Sequence, residues 1–175
     1  MLLKRILLLI LMIVLSLGTV QAHASEMSPN EKQILPVLIV NNSYSDTQKS
    51  RARMKAESPN ILMHQIIESL GKKYNIKQLN NDYNIHDVAS TEKSDLLDAF
   101  KETNYPMVML VEILPVGPGG ASLDTLVVVH FKIFNIKDNK YLYNGKLWTQ
   151  KMTGPDGLRY LNPQIDILLK DVFKM

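Results

Sequence analysis

Cysteine is absent from the 175 residues. Its absence excludes a disulfide scaffold, a thiolate metal site, a cysteine nucleophile and a lipid-bearing N-terminal cysteine. Histidine is scarce: His64, His86 and His130 remain once the N-terminal His23 is set aside, and no HxxxH or HxH spacing joins them. A zinc-type site needs two or three such ligands to converge, so no metal is expected. No GxSxG or SxxK marks a serine nucleophile, and no pair of carboxylates stands out as an acid–base unit. The stretch Val116-Gly117-Pro118-Gly119-Gly120 lacks the GK[ST] ending of a phosphate loop. Catalytic residues, cofactors and metals are all expected to be none. Beyond the N-terminus, long apolar runs are missing as well. Ile34 to Val40 and Met107 to Val111 have strand length, far from the roughly 20 residues of a spanning helix.

What is present begins with an address. Lys4 and Arg5 precede an unbroken apolar run from Ile6 to Leu15, and Ala22-His23-Ala24 places small residues before Ser25. This is the layout of a secretory signal peptide over residues 1–24, with cleavage after Ala24. An uncleaved anchor is the alternative, although Ser16, Gly18 and Thr19 weaken the run. Cleavage leaves 151 residues. The whole chain has 20 basic and 17 acidic residues; without Lys4 and Arg5 the balance is 18 to 17, a net charge of +1. The expected location is exported, periplasmic or extracellular. A near-neutral exported domain disfavours nucleic acid as a partner.

Residues 25–33 are polar and suit a tether, and residues 34–175 form one α/β domain. Ile34 to Val40 is a strand covered on both faces. Asn41 to Glu57 holds no apolar pair and is expected to be a surface loop. Ser58-Pro59 then opens a helix whose stripe is Leu62, Ile66, Leu70 and Tyr74. Tyr74 to Leu79 is a strand, and Ser90 or Thr91 caps a second helix carrying Leu96, Leu97 and Phe100. Met107 to Leu114, Leu126 to Ile136 and Tyr141 to Met152 are further strands. Asn162-Pro163 opens a last helix with Ile165, Leu168, Leu169 and Val172. The order is β-α-β-α-β-β-β-α, a mixed sheet of about five strands with helices packed on it. In the final hairpin, matching apolar faces requires Val129 opposite Leu147 and Ile133 opposite Tyr143. That register predicts an odd-length loop with Asn139 in the left-handed region.

Few residues suggest a site. Glu112 is the one acid inside an apolar strand; an edge position, or Lys132 as partner, accounts for it without a function. Lys49, Arg51, Arg53 and Lys55 alternate, so an extended segment projects them together toward an anionic envelope component such as phospholipid headgroups. A solvated loop is the plainer reading. Trp148 and Tyr143 fall on opposite faces of one strand, and Trp148 and Tyr44 are the interface candidates.

The stretches ILPVLIVNNSYSD, ILMHQIIESLGKKYNI, EKSDLLDAF…YPMVMLVEILPV and VVVHFKIFNIKDNKYLYNG resemble, in order and character, a group of bacterial envelope domains. The group comprises the TolB N-terminal domain, the curli-secretion lipoprotein CsgG and the penicillin-binding-protein activator lipoprotein LpoB. The resemblance covers about Ile34 to Phe173. It implies a partner-binding or assembly module without catalytic residues. The chain departs from it in lacking a lipobox cysteine, a following propeller and a long amphipathic insertion, so lipid anchoring and pore formation are not implied. The expectation is a non-enzymatic exported envelope protein that binds another envelope protein or an anionic envelope component. Two alternatives stand beside it: a small hydrolase using Ser43, Asp46 or His86, and a secreted structural or adhesion subunit.

Overall fold

The computed structural model describes residues 32–42, 48–116, 126–149 and 154–175. Residues 1–31, with the signal-peptide segment, lie outside them, as do Ser43, Tyr44, Ser45 and Asp46. Eight elements follow one another: β1 (Gln33–Asn41), α1 (Gln48–Leu70), β2 (Tyr74–Leu79), α2 (Lys93–Phe100), β3 (Met107–Val116), β4 (Leu126–Asn135), β5 (Lys140–Trp148) and α3 (Gly154–Phe173). The order is the expected one, and the sheet has five strands in the order β2-β1-β3-β4-β5. β1 pairs in parallel with β2 and β3, and β4 and β5 continue the sheet antiparallel.

Each face of the sheet carries its own apolar layer. On one face, Leu35, Val37, Met109, Val111, Val129 and Phe131 meet the stripes of α1 and α3. On the other, Leu38, Val40, Val108, Leu110 and Phe134 meet Leu96 and Phe100 of α2 together with Ile85 and Val88 from the preceding loop. β1 and β3 are inner strands covered on both sides, which is why their sequences are continuously apolar. β5 alternates half-buried and exposed residues, as a strand at the rim does.

Helices α1 and α3 run side by side in the same direction. Arg53 and Glu57 of α1 meet Asp156 and Arg159 of α3, Ser69 Oγ donates to Asp166 Oδ1 at 2.8 Å, and the Tyr74 and Phe173 rings meet edge-on at 5.1 Å. Both helices begin earlier than their proline signatures suggest. Pro59 and Pro163 lie inside them. For α1, residues Gln48–Glu57 lack an apolar stripe but are nearly all strong helix formers. For α3, Leu158 and Leu161 extend the buried stripe ahead of Pro163. Two buried leucines at about 2 kcal/mol each outweigh the roughly 3 kcal/mol of an interior proline. The cap of α2 also shifts: Glu92 itself is the N-cap, in a capping box with Asp95.

The final hairpin has the expected register and a different turn. Val129 pairs with Leu147, Phe131 with Gly145 and Ile133 with Tyr143. Asn139 has φ 47°, left-handed as expected. The loop, however, is four residues long, since Asn135 pairs with Lys140. A bulge at Leu142 reconciles an even loop with the odd register: Phe134 pairs with Tyr141, and Leu142 has no partner. The bulge turns Tyr141 to the α2 side, where its ring meets Phe134 at 5.5 Å, while Tyr143 stays on the α1–α3 side. Gly145 makes room for Tyr143; a Cβ there would lie 2.5 Å from the Tyr143 hydroxyl.

Candidate functional site

Glu112 is not at an edge. It sits in β3, the middle strand, with 1 % of its surface exposed. Lys132, 3 % exposed, is not its direct partner either. The Glu112 carboxylate accepts hydrogen bonds from Asn42 Nδ2 and, at 3.1 Å, from the Ala89 backbone N–H. The Lys132 ammonium donates to the carbonyls of Ala89 at 2.8 Å and Thr91 at 2.6 Å. Asn42 Nδ2 also reaches the His86 carbonyl at 2.9 Å. The two buried charges thus clamp the loop between β2 and α2 onto the sheet. Backbone groups that cannot pair in a ladder there find side chains instead.

Burial holds the Lys132 ammonium below its ordinary 10.5, while Asp87, Glu112, Asp95 and Glu92 pull it back up. Asp87 is held below the usual carboxylate range chiefly by the Ser90 N–H, at 3.0 Å. His130 stands opposite Glu112 on one side and Lys146 on the other. Burial lowers the His130 imidazole from its ordinary 6.5; Glu112 and Asp87 oppose this, Lys146 and Lys132 add to it. A group whose folded pKa lies below its unfolded value binds more protons in the unfolded chain, so stability rises with pH through that interval. The urea midpoint is therefore expected to climb as pH rises through the interval below 6.5. His130→Gln flattens that climb; an unchanged slope in the variant contradicts the assignment.

These groups hold the loop between β2 and α2 to the sheet. Among the described residues no three His, Asp or Glu side chains form a metal-binding group. The His86 ring nitrogen lies 2.7 Å from Asn84 Oδ1, and His64 pairs with Glu68 at 3.6 Å. A cavity of about 410 Å³ opens near Leu97, Thr103, Tyr105, Pro106 and Ile136, rimmed by Lys101 and Lys137. Two lining hydroxyls have partners: Thr103 donates to the Phe100 carbonyl at 2.7 Å, and Tyr105 accepts from Lys77 at 2.7 Å. Ser43 and Asp46, the other hydrolase candidates, lie outside the described residues.

The basic row is helical and not extended. Lys49, Arg51, Arg53 and Lys55 belong to α1. Spacing of two around a 3.6-residue turn divides the four positions into two pairs on different sides, Lys49 with Arg53 and Arg51 with Lys55. Arg53 is further engaged by Glu57 at 3.1 Å and Asp156 at 3.8 Å. Tyr44 lies outside the described residues, whereas Trp148 stands on β5 with 55 % of its surface exposed.

β5 is the rim of the sheet, and its phase is defined. The Thr149 N–H donates to the Val127 carbonyl at 3.0 Å. Alternation along the antiparallel ladder then aims the backbone groups of Leu147, Gly145 and Tyr143 at β4, and those of Trp148, Lys146 and Asn144 outward. The side chains of the same three residues are exposed. Sequence reasoning found Trp148 by alternation alone. It had no signal for the outward backbone of Asn144 and Lys146, which follows from strand order.

No family model matches the chain, and no curated protein sequence matches it. Similar solved structures exist. One is TolB of Acinetobacter baumannii, 12% identical over 85% of this chain and 30% of that chain, with a TM-score of 0.45. A second is the lipoprotein GNA1162 of Neisseria meningitidis, 15% identical over 81% of this chain and 99% of that one, with a TM-score of 0.41. A third is the LpoB C-terminal domain of Salmonella enterica, 9% identical over 70% and 87%, with a TM-score of 0.34. This chain spans under a third of the TolB structure's length. The likeness is a weak one of fold, and TolB and LpoB, named above from the sequence, are both part of it.

Proposed function

We propose that the protein is an exported component of the cell envelope that acts by binding another protein and not by catalysis. The observation that carries this reading is the rim of β5, where the outward backbone groups of Asn144, Lys146 and Trp148 meet no further strand among the described residues and Trp148 is exposed. An unpaired strand edge is a template for an added strand, and tryptophan is enriched where interfaces are anchored. The N-terminal pattern of residues 1–24 supplies the export half of the proposal. Among the described residues no helix is long and apolar enough to cross a membrane.

Two measurements test it. The full chain, tagged at its C-terminus and produced in a bacterial host, is expected in the osmotic-shock fraction with the mass of residues 25–175. Full-length chain retained in the cytosol contradicts export. A photo-cross-linking side chain at Asn144 is expected to give discrete adducts with envelope proteins, and the same probe at exposed Glu68 is expected to give none. Equal adducts at both positions, or none at Asn144, would remove the binding role.

A further inference from the structure

We infer that the β5 rim takes an acidic extended peptide as an added antiparallel strand, an inference that rests on the partner-binding reading above. The argument is one of charge and register. β5 carries Lys140 and Lys146 and no acid. The acid nearest in sequence, Asp138 in the turn, is held by Asn135: its carboxylate accepts from Asn135 Nδ2 at 2.9 Å, and its N–H donates to Asn135 Oδ1 at 2.9 Å. Inward across the same face, Lys146 is followed by His130 and then by Glu112, whose oxygens are already taken by Asn42 and Ala89. Among the described residues, the rim therefore presents positive charge that no carboxylate satisfies in the ladder.

The length of the docking stretch is set as well. The bulge at Leu142 interrupts the strand at one end. Outward backbone groups remain on Asn144, Lys146 and Trp148, enough for a short segment. Because side chains alternate, a partner strand places one residue opposite Lys146 and another, two positions away, opposite Trp148. An acid suits the first position and an apolar residue the second. A second copy of this chain is the poorer occupant. Lysine on an exposed edge discourages self-pairing, since an approaching copy brings its own lysines to the contact.

The chain's single tryptophan is Trp148 itself, so its fluorescence reports directly on the rim. Full-length protein is titrated with the blocked peptide Thr-Val-Thr-Glu-Thr-Val-Thr, in which Val stands two positions from Glu, then with Gln or Lys in place of Glu, and with Pro at that central position. The expected result is a saturable blue shift with the Glu peptide, weakened about fivefold with Gln and further with Lys, as exposed ion pairs allow. Added salt lowers the Glu affinity, and the central Pro abolishes it by removing a ladder donor. Lys146→Glu is expected to shift preference to the Lys peptide. Lys146 is exposed, so the variant keeps the fold, and its shift is read against its own free spectrum. Equal binding of the Glu, Gln and Lys peptides overturns the acidic preference while leaving the cross-linking result at Asn144 untouched. Binding that survives the central Pro overturns strand addition, and binding by none of the peptides overturns the inference as a whole.

Discussion

Lys132→Met is expected to lower unfolding free energy by about 3 kcal/mol and to free the loop that precedes α2. The size follows from what is left behind. Two carbonyls, of Ala89 and Thr91, lose their donor, and a buried group without a partner costs about 1–3 kcal/mol. Glu112 meanwhile remains buried without the nearby cation. Methionine recovers part of this, because an ammonium no longer has to be kept out of water. Urea denaturation reads the loss. Amide exchange at Ala89, whose N–H is held by Glu112, locates it. The double variant Glu112→Leu with Lys132→Met is expected to lose less than the two single losses added, since removing both charges leaves neither one stranded. A single Lys132→Met variant as stable as the parent, with Ala89 still protected, would show that the clamp is decorative.

The second large effect is a contrast between two deletions in β5. Removing one residue from a strand ordinarily turns every later side chain to the wrong face. Removing Leu142 should not. It is the residue without a partner, so its loss joins Tyr141 to Tyr143 in a regular ladder and keeps Phe134 opposite Tyr141 and Ile133 opposite Tyr143. The expected cost is about 1 kcal/mol or less, the range of surface changes away from special features. Removing Asn144 shifts the strand between Tyr143 and Leu147, exposes Leu147 and drives Lys146 toward the α1–α3 layer. A loss of about 4 kcal/mol or more is expected, from the lost burial and the unpaired charge. Thermal melts of the two deletion variants decide the matter. Equal damage from both would mean that the bulge is not where the ladder puts it.

These expectations depend on detail that the amino-acid order reveals unevenly. The element order and hairpin register were legible because apolar periodicity is local: Val129, Ile133, Tyr143 and Leu147 admit one matching of faces. Asn139 was legible for the same reason, as a turn residue tolerant of positive φ. The helix starts were not. Ser58-Pro59 and Asn162-Pro163 look like starts within a few residues, but contacts between α1 and α3 and the buried Leu158 and Leu161 extend both helices past them. The bulge was hidden because it needs an apolar layer on both faces to make Tyr141 turn away. The bonds to Glu112 come from Asn42 and Ala89, distant in sequence and in segments without periodicity. Of the candidate site, exposure of Trp148 was readable, whereas the segment with the alternate lysines and arginines, expected as a loop, is helical.

The bulge at Leu142 also has a mechanical meaning. Within three residues of one strand it sends Tyr141 into the layer beneath α2 and Tyr143 into the layer beneath α1 and α3. Tyr141 leans on Phe134 and on the Lys132 side chain, whose ammonium lies 5.9 Å from its ring centre, and so on the clamp. Tension applied to the rim strand is therefore shared by both layers of the molecule at once, and neither can be peeled from the sheet without loading the other.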